Sequence, residues 1–249
     1  MHNLHQPSTF PPEAPLQELL KIARSKYHIK FEAVKIGNYA LQVLQLADIE
    51  EYVDHLAETV GCGEKLELPF WAKIWPTSIL LSYYLQRLSL DFKGQMLELG
   101  AGVGVCGLFA AQHGFQVIIS DSHEDALLFS KINILQNNLQ HRADIAKVDF
   151  TKDRIQRRFQ YILGSEILYQ EACYSPLLKF LQRHLEPIPE AEAILAKGYN
   201  LKADKFVKLI REEFQLQEKT LGYRQQAEAE QSGQEKYLSQ IYRLRPKKA

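Results

Sequence analysis

The chain has few cysteines, no excess of charge and no long apolar run, and each shortage argues against a class of protein. Its three cysteines, Cys62, Cys106 and Cys173, form no CxxC pair, so neither a zinc knuckle nor a disulfide framework is indicated. Lysine plus arginine and aspartate plus glutamate both number 30, so the basic excess of a typical nucleic-acid binder is missing. No apolar stretch is long enough to span a bilayer, and the N-terminus lacks the apolar core of a signal peptide. We therefore expect a protein of the reducing cytoplasm.

Two familiar catalytic signatures are also absent. The sequence has no Gly-x-Ser-x-Gly nucleophile elbow, which argues against a hydrolase of that kind. It has no His-x-x-Glu-His or similar cluster of metal ligands either, so we expect no bound metal.

From residue 95 onward, short apolar stretches alternate with helical patterns. The predicted strands are 96–99, 117–120, 145–148, 161–163, 193–196, 214–221 and 237–244. Helices are predicted after the first, second, fourth and fifth strands, but none separates the third strand from the fourth or the sixth from the seventh. Alternation of this kind is typical of a parallel sheet covered by helices. We expect an α/β fold, a Rossmann-like, mostly parallel seven-stranded sheet with a C-terminal antiparallel hairpin.

The N-terminal part follows a different pattern. Apolar residues at helical spacing predict a short first helix. Two strand-like stretches, 31–36 and 39–46, flank a Gly-Asn turn and predict a hairpin. Asp48, with a glutamate three residues later, resembles a capping box that opens a second helix. We therefore divide the chain into an α+β extension, residues 1–68, and the sheet-containing domain, residues 69–249.

A glycine-rich loop follows the first strand of the sheet. It reads Glu98-Leu99-Gly100-Ala101-Gly102-Val103-Gly104 and overlaps a Gly-x-Gly-x-x-Gly fingerprint. Glycines allow a sharp turn and a close approach of the backbone to a ligand. Taken alone, the loop fits a tight strand-to-helix turn as well as it fits a nucleotide site. Asp121 ends the second strand 19 residues after Gly102, and a carboxylate there can accept both hydroxyls of a ribose, which favours the nucleotide site.

The ends of the third and fourth strands are further places where a ligand can bind. Asp149 is placed to accept an adenine amino group, and Phe150 is placed to lie on the adenine ring. Taken alone, this pair is explained better by a surface turn with one core aromatic.

NAD(P) and S-adenosylmethionine both fit such a loop, and three features favour S-adenosylmethionine. Glu98 precedes the first glycine by two residues, where a carboxylate can meet the amino-acid end of that cofactor. Substantial structure precedes the loop, whereas a dinucleotide-binding domain commonly starts its own chain segment. The two consecutive strands at the end are a mark of the methyltransferase sheet, whereas a dinucleotide-binding fold needs another crossover helix.

The run from 69 to 169 resembles the family 16 seven-stranded methyltransferases, which include many protein-lysine methyltransferases. Within that family it is most similar to the electron-transfer-flavoprotein β-subunit lysine methyltransferase group. The matching segments are 69–76 (PFWAKIWP), 97–104 (LELGAGVG), 120–121 (SD), 148–150 (VDF) and 164–169 (GSEILY). Many methyltransferases share the glycine loop, whereas the Trp-Pro and acid-x-x-Tyr segments are specific to the family.

The resemblance implies a role for each matching position. The cofactor-binding residues would be Trp75 at the methionine end, Glu98, Gly100, Ala101 and Gly102 around it, Asp121 at the ribose, Asp149 and Phe150 at the adenine, and Ser165 at the fourth strand end. Glu166 and Tyr169 match the family's (Asp/Glu)-x-x-(Tyr/Phe) motif near the target amine and would be catalytic. Glu166 replaces the commoner Asp, which lengthens the side chain.

Four nearby side chains are interpreted as purely structural. Trp71 is assigned to core packing and His123 to an exposed loop. Asn133 and Asn137, on the helix after the second strand, are expected to be solvated.

We expect N-methylation of a lysine side chain on a protein substrate, with S-adenosylmethionine as cofactor and without a metal or a membrane. Three alternatives stay open: a methyltransferase that acts on a small molecule or nucleic acid, a cofactor-binding protein without catalysis, and an NAD-dependent oxidoreductase. The neutral charge and the lack of an Asn-Pro-Pro-Tyr type of motif count against nucleic acid.

Overall fold

The computed structural model describes residues 9–59, 68–224 and 236–247, so Cys62 lies outside the described residues. The helices are α1 Leu16–Lys26, α2 Ile49–Thr59, α3 Pro76–Leu85, α4 Val105–His113, α5 Glu124–Gln136, α6 Tyr174–His184 and α7 Asp204–Glu213. The strands are β1 Ile29–Ile36, β2 Tyr39–Leu46, β3 Gln95–Leu99, β4 Gln116–Asp121, β5 Ala143–Lys147, β6 Tyr161–Ser165, β7 Glu192–Gly198, β8 Phe214–Arg224 and β9 Lys236–Pro246. Among the helices described, none has the length and apolarity that crossing a bilayer requires.

Seven of the strands form one sheet in the order β5-β4-β3-β6-β7-β9-β8. Neighbouring strands are parallel except at β9, which is antiparallel to β7 on one side and to β8 on the other. The predicted mostly parallel sheet with a C-terminal antiparallel hairpin is therefore confirmed. The strand order reverses between β3 and β6, which is where sheets of this type bind their ligands.

The apolar character of the central strands follows from their burial on both faces. In β3, β6 and β7 nearly every residue is buried, as is usual for strands covered by helices on both sides. One apolar core includes α4 and α5, and a second includes α6 and α7. The sheet thus lies between two layers of helices, and its carboxyl edge remains available for a site.

The extension contains the predicted helix, hairpin and helix. β1 and β2 pair antiparallel around Gly37, and the Asp48 side chain accepts the backbone N–H groups of Glu50 and Glu51 at the start of α2. Leu44 is fully buried and belongs to the same apolar core as α4 and α5. Because that core crosses residue 68, the division into 1–68 and 69–249 stays a prediction about chain organisation.

The prediction that Asn133 is solvated is wrong, whereas Asn137 is partly exposed, in keeping with its prediction. The Asn133 amide is buried, where it accepts the backbone N–H of Leu44 at 2.6 Å and donates to the carbonyl of Val103 at 2.9 Å. Asn137 exchanges two hydrogen bonds with the backbone of Gln42. An edge strand presents unpaired N–H and C=O groups, and an amide side chain satisfies one of each. Asn133 therefore connects the hairpin to the glycine loop.

Candidate active site

A cavity of about 530 Å³ lies at the carboxyl ends of β3, β4 and β6, where the strand order reverses. Its volume is in the range that holds a small-molecule cofactor. Ten of the eleven predicted site residues line it: Trp75, Glu98, Gly100, Ala101, Gly102, Asp121, Phe150, Ser165, Glu166 and Tyr169. The eleventh, Asp149, lies outside the lining. Sequence positions up to 94 residues apart are thus brought together by the topology of the sheet.

The glycine loop forms the inner wall, and its backbone requires glycine. Gly100, Gly102 and Gly104 have φ values of +58°, +56° and +82°, in the left-handed region. A Cβ atom at Gly102 would lie 2.7 Å from the carbonyl oxygen of Trp71. The Ser130 hydroxyl donates to the Gly102 carbonyl at 2.9 Å, which ties the loop to α5. The loop is therefore shaped before any ligand arrives.

Two buried carboxylates flank the loop. Glu98 accepts the backbone N–H of Gly107 at 2.8 Å, and Asp121 accepts those of Gly102 and His123, each at 2.9 Å. Burial raises the pKa of Glu98 to about 8 and raises that of Asp121 above its usual range. A positively charged ligand group nearby would favour the ionised form of either carboxylate. This end of the cavity suits a ligand with a cationic part and hydroxyl donors.

Aromatic side chains supply much of the remaining wall. The Trp75 indole donates to the Phe70 carbonyl at 2.8 Å, which fixes the ring, and the Lys73 ammonium lies 5.2 Å from its centre. Trp71 stacks on His123 with ring centres 4.8 Å apart, and both line the cavity.

Sequence reasoning missed the cavity role of Trp71 and His123. Trp71 also packs edge-on against Phe129, so its interpretation as core packing covers only part of its contacts. His123 is half-buried and caps α5 by accepting the N–H of Asp125, so its interpretation as an exposed loop residue was wrong. The signals that could have predicted these roles are the position of Trp71 within the Trp-Pro segment and that of His123 two residues after Asp121.

The two residues after β5 have different surroundings. Phe150 lines the cavity and packs against the second apolar core. Asp149 accepts the N–H of Thr151 at 2.9 Å and pairs with Lys152 at 3.0 Å. Partial desolvation raises the pKa of Asp149, but the bonds from Thr151 and Lys152 outweigh it and lower that pKa overall. Its carboxylate closes a turn, and its predicted contact with adenine stays a prediction.

The Ser165 hydroxyl gives a direct test of whether the cavity suits a polar ligand. It is buried at the end of β6 and has no hydrogen-bond partner among the described residues. Buried polar atoms in native proteins nearly always have a partner, so an orphan beside a cavity indicates a polar ligand atom. The glycine cradle, the two carboxylates and this hydroxyl together fit a nucleoside joined to an amino acid. Within the same described ranges, no three His, Cys, Asp or Glu side chains cluster as metal ligands would.

Glu166 and Tyr169 lie at the outer end of the cavity. Glu166 has a φ of +57°, which is uncommon for a residue other than glycine. The Thr77 hydroxyl donates to its Oε1 atom. Tyr169 is 64% exposed, and Phe70, also at this end, is 56% exposed. The outer end is therefore open and aromatic, with one carboxylate in its wall.

The sheet order, the inserted β9 and the glycine loop at the reversal point define the Rossmann-like methyltransferase class. A family model described as lysine methyltransferase matches residues 44–213, which is more than half of the chain. The chain therefore belongs to the lysine methyltransferase family, and the family resemblance is confirmed. Its cofactor is S-adenosylmethionine, as predicted over NAD(P). The finer likeness to the electron-transfer-flavoprotein group stays a prediction.

Named relatives and solved structures agree with this assignment. Protein N-lysine methyltransferase METTL21A of Mus musculus is 27% identical over 67% of this chain and 71% of its own length. EEF1A lysine methyltransferase 3 of Mus musculus is 30% identical over 52% of this chain and 56% of its own length. The ribosomal protein L11 methylase of Lactobacillus delbrueckii subsp. bulgaricus superposes with a TM-score of 0.55 and 16% identity, over 87% of this chain and 100% of that one. The last likeness shows the fold alone.

Proposed function

We propose that this protein transfers a methyl group from S-adenosylmethionine to the side-chain nitrogen of a lysine on a protein substrate. One observation carries the proposal. The glycine loop and the carboxylate-bearing, aromatic outer end open into the same cavity, so that a cofactor and an amine can meet there. An open outer end also leaves room for an acceptor that is part of a macromolecule.

We assign the cofactor-binding roles to the residues that line the inner end. In this proposal Glu98, Gly100, Ala101 and Gly102 hold the amino-acid end of the cofactor, and Asp121 accepts the ribose hydroxyls. We also propose that Phe150 covers the adenine and that the Ser165 hydroxyl donates a hydrogen bond to the cofactor, which is supported by their positions in the cavity lining. When bound, S-adenosylmethionine supplies an electrophilic methyl group on a sulfonium centre.

The outer end prepares the amine. A free lysine has a pKa of about 10.4 and must lose its proton before it can act as a nucleophile. Burial of the amine between Trp75 and Tyr169 would lower that pKa. Aromatic faces also attract the ammonium form, which enters before the proton is lost. Glu166 attracts the incoming ammonium and accepts a hydrogen bond that orients the nitrogen. Positioning of this kind supplies much of the rate in a displacement reaction.

We propose the cytoplasm as the place of action and residues 1–68 as a supporting extension. The described cysteines, Cys106 and Cys173, are free thiols, in keeping with a reducing compartment. The extension reaches the site through Asn133, which bonds both Leu44 and Val103. We therefore propose that the extension supports the glycine loop through its hairpin.

The acceptor can be tested with labelled cofactor. The purified protein is incubated with methyl-labelled S-adenosylmethionine and either EEF1A, the protein named for one relative, or whole-cell lysate protein. Acid hydrolysis and mass spectrometry then locate the label. We expect Nε-methyl-lysine with the wild type and none with Asp121→Ala. Label on arginine, on nucleic acid or on a small molecule, or no transfer at all, would overturn the proposal.

A further inference from the structure

Glu166 has a conformation that its surroundings must maintain. It is one of two non-glycine residues with positive φ in the described ranges, and the other is an asparagine, which tolerates that conformation better. Such backbone persists only where neighbouring contacts over-determine it, and it is concentrated at functional sites. The contacts that hold Glu166 therefore bear on its task.

Two contacts fix Glu166, one to its backbone and one to its side chain. Its backbone N–H donates to the Ala196 carbonyl at 2.8 Å, which joins it to β7. The Thr77 hydroxyl donates to Oε1, and the Ser239 hydroxyl donates to Thr77 Oγ1 at 3.3 Å. Thr77 and Ser239 are only 5% and 1% exposed. A chain of buried hydroxyls thus runs from β9 through α3 to the outer end of the cavity.

The number of hydroxyl protons determines which oxygen donates and which accepts in each of these hydrogen bonds. A threonine hydroxyl has one proton and two lone pairs. With Ser239 donating to a lone pair of Thr77, the single Thr77 proton is committed to Glu166. Thr77 also lies in the first turn of α3, where the helix dipole favours a negative charge. The Glu166 carboxylate accepts the hydrogen bond from Thr77 through Oε1, and a carboxylate retains acceptor capacity for a further donor.

The length of the glutamate side chain suits this arrangement. Glu166 replaces the aspartate that is commoner at this position of the resembling family. The longer side chain joins the cavity wall to a residue 89 positions earlier in the chain. The contact restrains a side chain that has one more rotatable bond than aspartate.

We infer that Thr77, supported by Ser239, is a positioning residue that fixes the Glu166 carboxylate for the substrate amine. This inference rests on the proposed function, since it assigns Thr77 to the same acceptor end. Thr77 acts through Glu166 and is not assigned any contact with the substrate.

The test measures amine binding separately from transfer. The protein is saturated with S-adenosylhomocysteine and titrated with n-butylamine, which carries the amine and carbons of a lysine side chain, while chemical shifts are followed by NMR. Thr77→Val keeps the shape and removes the donor, and we expect about five- to tenfold weaker amine binding. Thr77→Ser restores the donor and should come within about twofold of the wild type. Affinity for S-adenosylhomocysteine should be the same in all three proteins.

Two controls separate positioning from general structure. In a Glu166→Ala background, Thr77→Val should have no further effect on amine binding, because the residue it acts through is gone. Ser82→Ala removes another buried hydroxyl of α3, which donates to the Ser78 carbonyl at 2.7 Å, and should leave amine binding unchanged.

The inference is overturned if Thr77→Val weakens amine binding equally with and without Glu166, or if Thr77→Ser fails to restore it. It is also overturned if the wild type binds no amine. Dependence of amine binding on Thr77 and Glu166, together with a failure to methylate any protein lysine, would refute the proposed function and leave the positioning role standing.

Discussion

The two ends of the cavity differ in how they are built. At the inner end, backbone N–H groups already bind Glu98 and Asp121, and Ser130 ties down the glycine loop. At the outer end, Phe70 and Tyr169 are more than half exposed. The inner end is thus organised in advance for one small ligand, whereas the outer end is open to a large one.

This difference follows from where each end lies in the fold. The inner end consists of strand ends and the turn that follows β3, whose positions the sheet fixes. The outer end is made from the segment before α3 and the segment after β6. Loops carry specificity while the scaffold holds the reacting groups, so we expect the choice of acceptor to depend on the outer end.

Gly102→Ala should have the largest effect, and only on the inner end. The new Cβ would meet the Trp71 carbonyl at 2.7 Å in a backbone that has positive φ. We expect the free loop to shift and relieve strain of about 1–3 kcal/mol, which the ligand must restore on binding, so S-adenosylhomocysteine affinity should fall about 5- to 150-fold by calorimetry. Gly198→Ala is the matched control, since its Cβ would lie 3.5 Å from the nearest atom, Glu166 Oε1. Wild-type affinity in Gly102→Ala would contradict a preformed inner end.

Asn133→Leu should have the next largest effect, because it removes the hydrogen bonds that connect the hairpin to the glycine loop. It leaves the Val103 carbonyl and the Leu44 N–H without their partner, at about 1–3 kcal/mol for each buried group. We expect a lower free energy of unfolding and weaker cofactor binding. Asn137→Leu removes the bonds to the Gln42 backbone and the bond to the Asn133 carbonyl, none of which reaches the glycine loop, and should lower stability without changing affinity. Equal losses of affinity in both variants would show that the connection to the loop is irrelevant.

A separate prediction concerns the pH dependence of stability. Burial raises the pKa of Glu98 from its ordinary 4.5 to about 8, so the folded protein retains a proton that the unfolded chain releases. The contribution of Glu98 to the free energy of unfolding is fully present below pH 4.5 and is lost as the pH rises towards 8. Glu98→Gln, which stays neutral, should therefore gain stability relative to the cofactor-free wild type between pH 5 and about 8 in urea unfolding. A constant difference across that range would refute the raised pKa.

The fold was largely predictable because alternation and glycine turns are local signals. The hairpin of β8 and β9 follows from two strand patterns in succession, and the loop from 98 to 104 marks the end of β3. The same signals placed Asp121 and Ser165 at strand ends, and hence in the cavity.

Contacts between distant parts of the chain were not predictable. Asn133 meets a backbone 89 residues away, and Ser239 meets Thr77 across 162 residues. Helical periodicity shows that a side chain faces a neighbour, but the identity of that neighbour depends on how the sheet is ordered. Asp149 is the opposite case, in which the residue matched a sequence motif. The structure shows its carboxylate in a local turn with Thr151.

The division of roles between the inner and outer ends is tested most directly by comparing Asp121→Asn with Glu166→Gln. Each protein is titrated with S-adenosylhomocysteine and assayed for label transfer to lysine. We predict about tenfold weaker binding for Asp121→Asn, since a charged acceptor is lost, and unchanged binding with a loss of transfer for Glu166→Gln. Equal loss of binding in both variants would contradict the account.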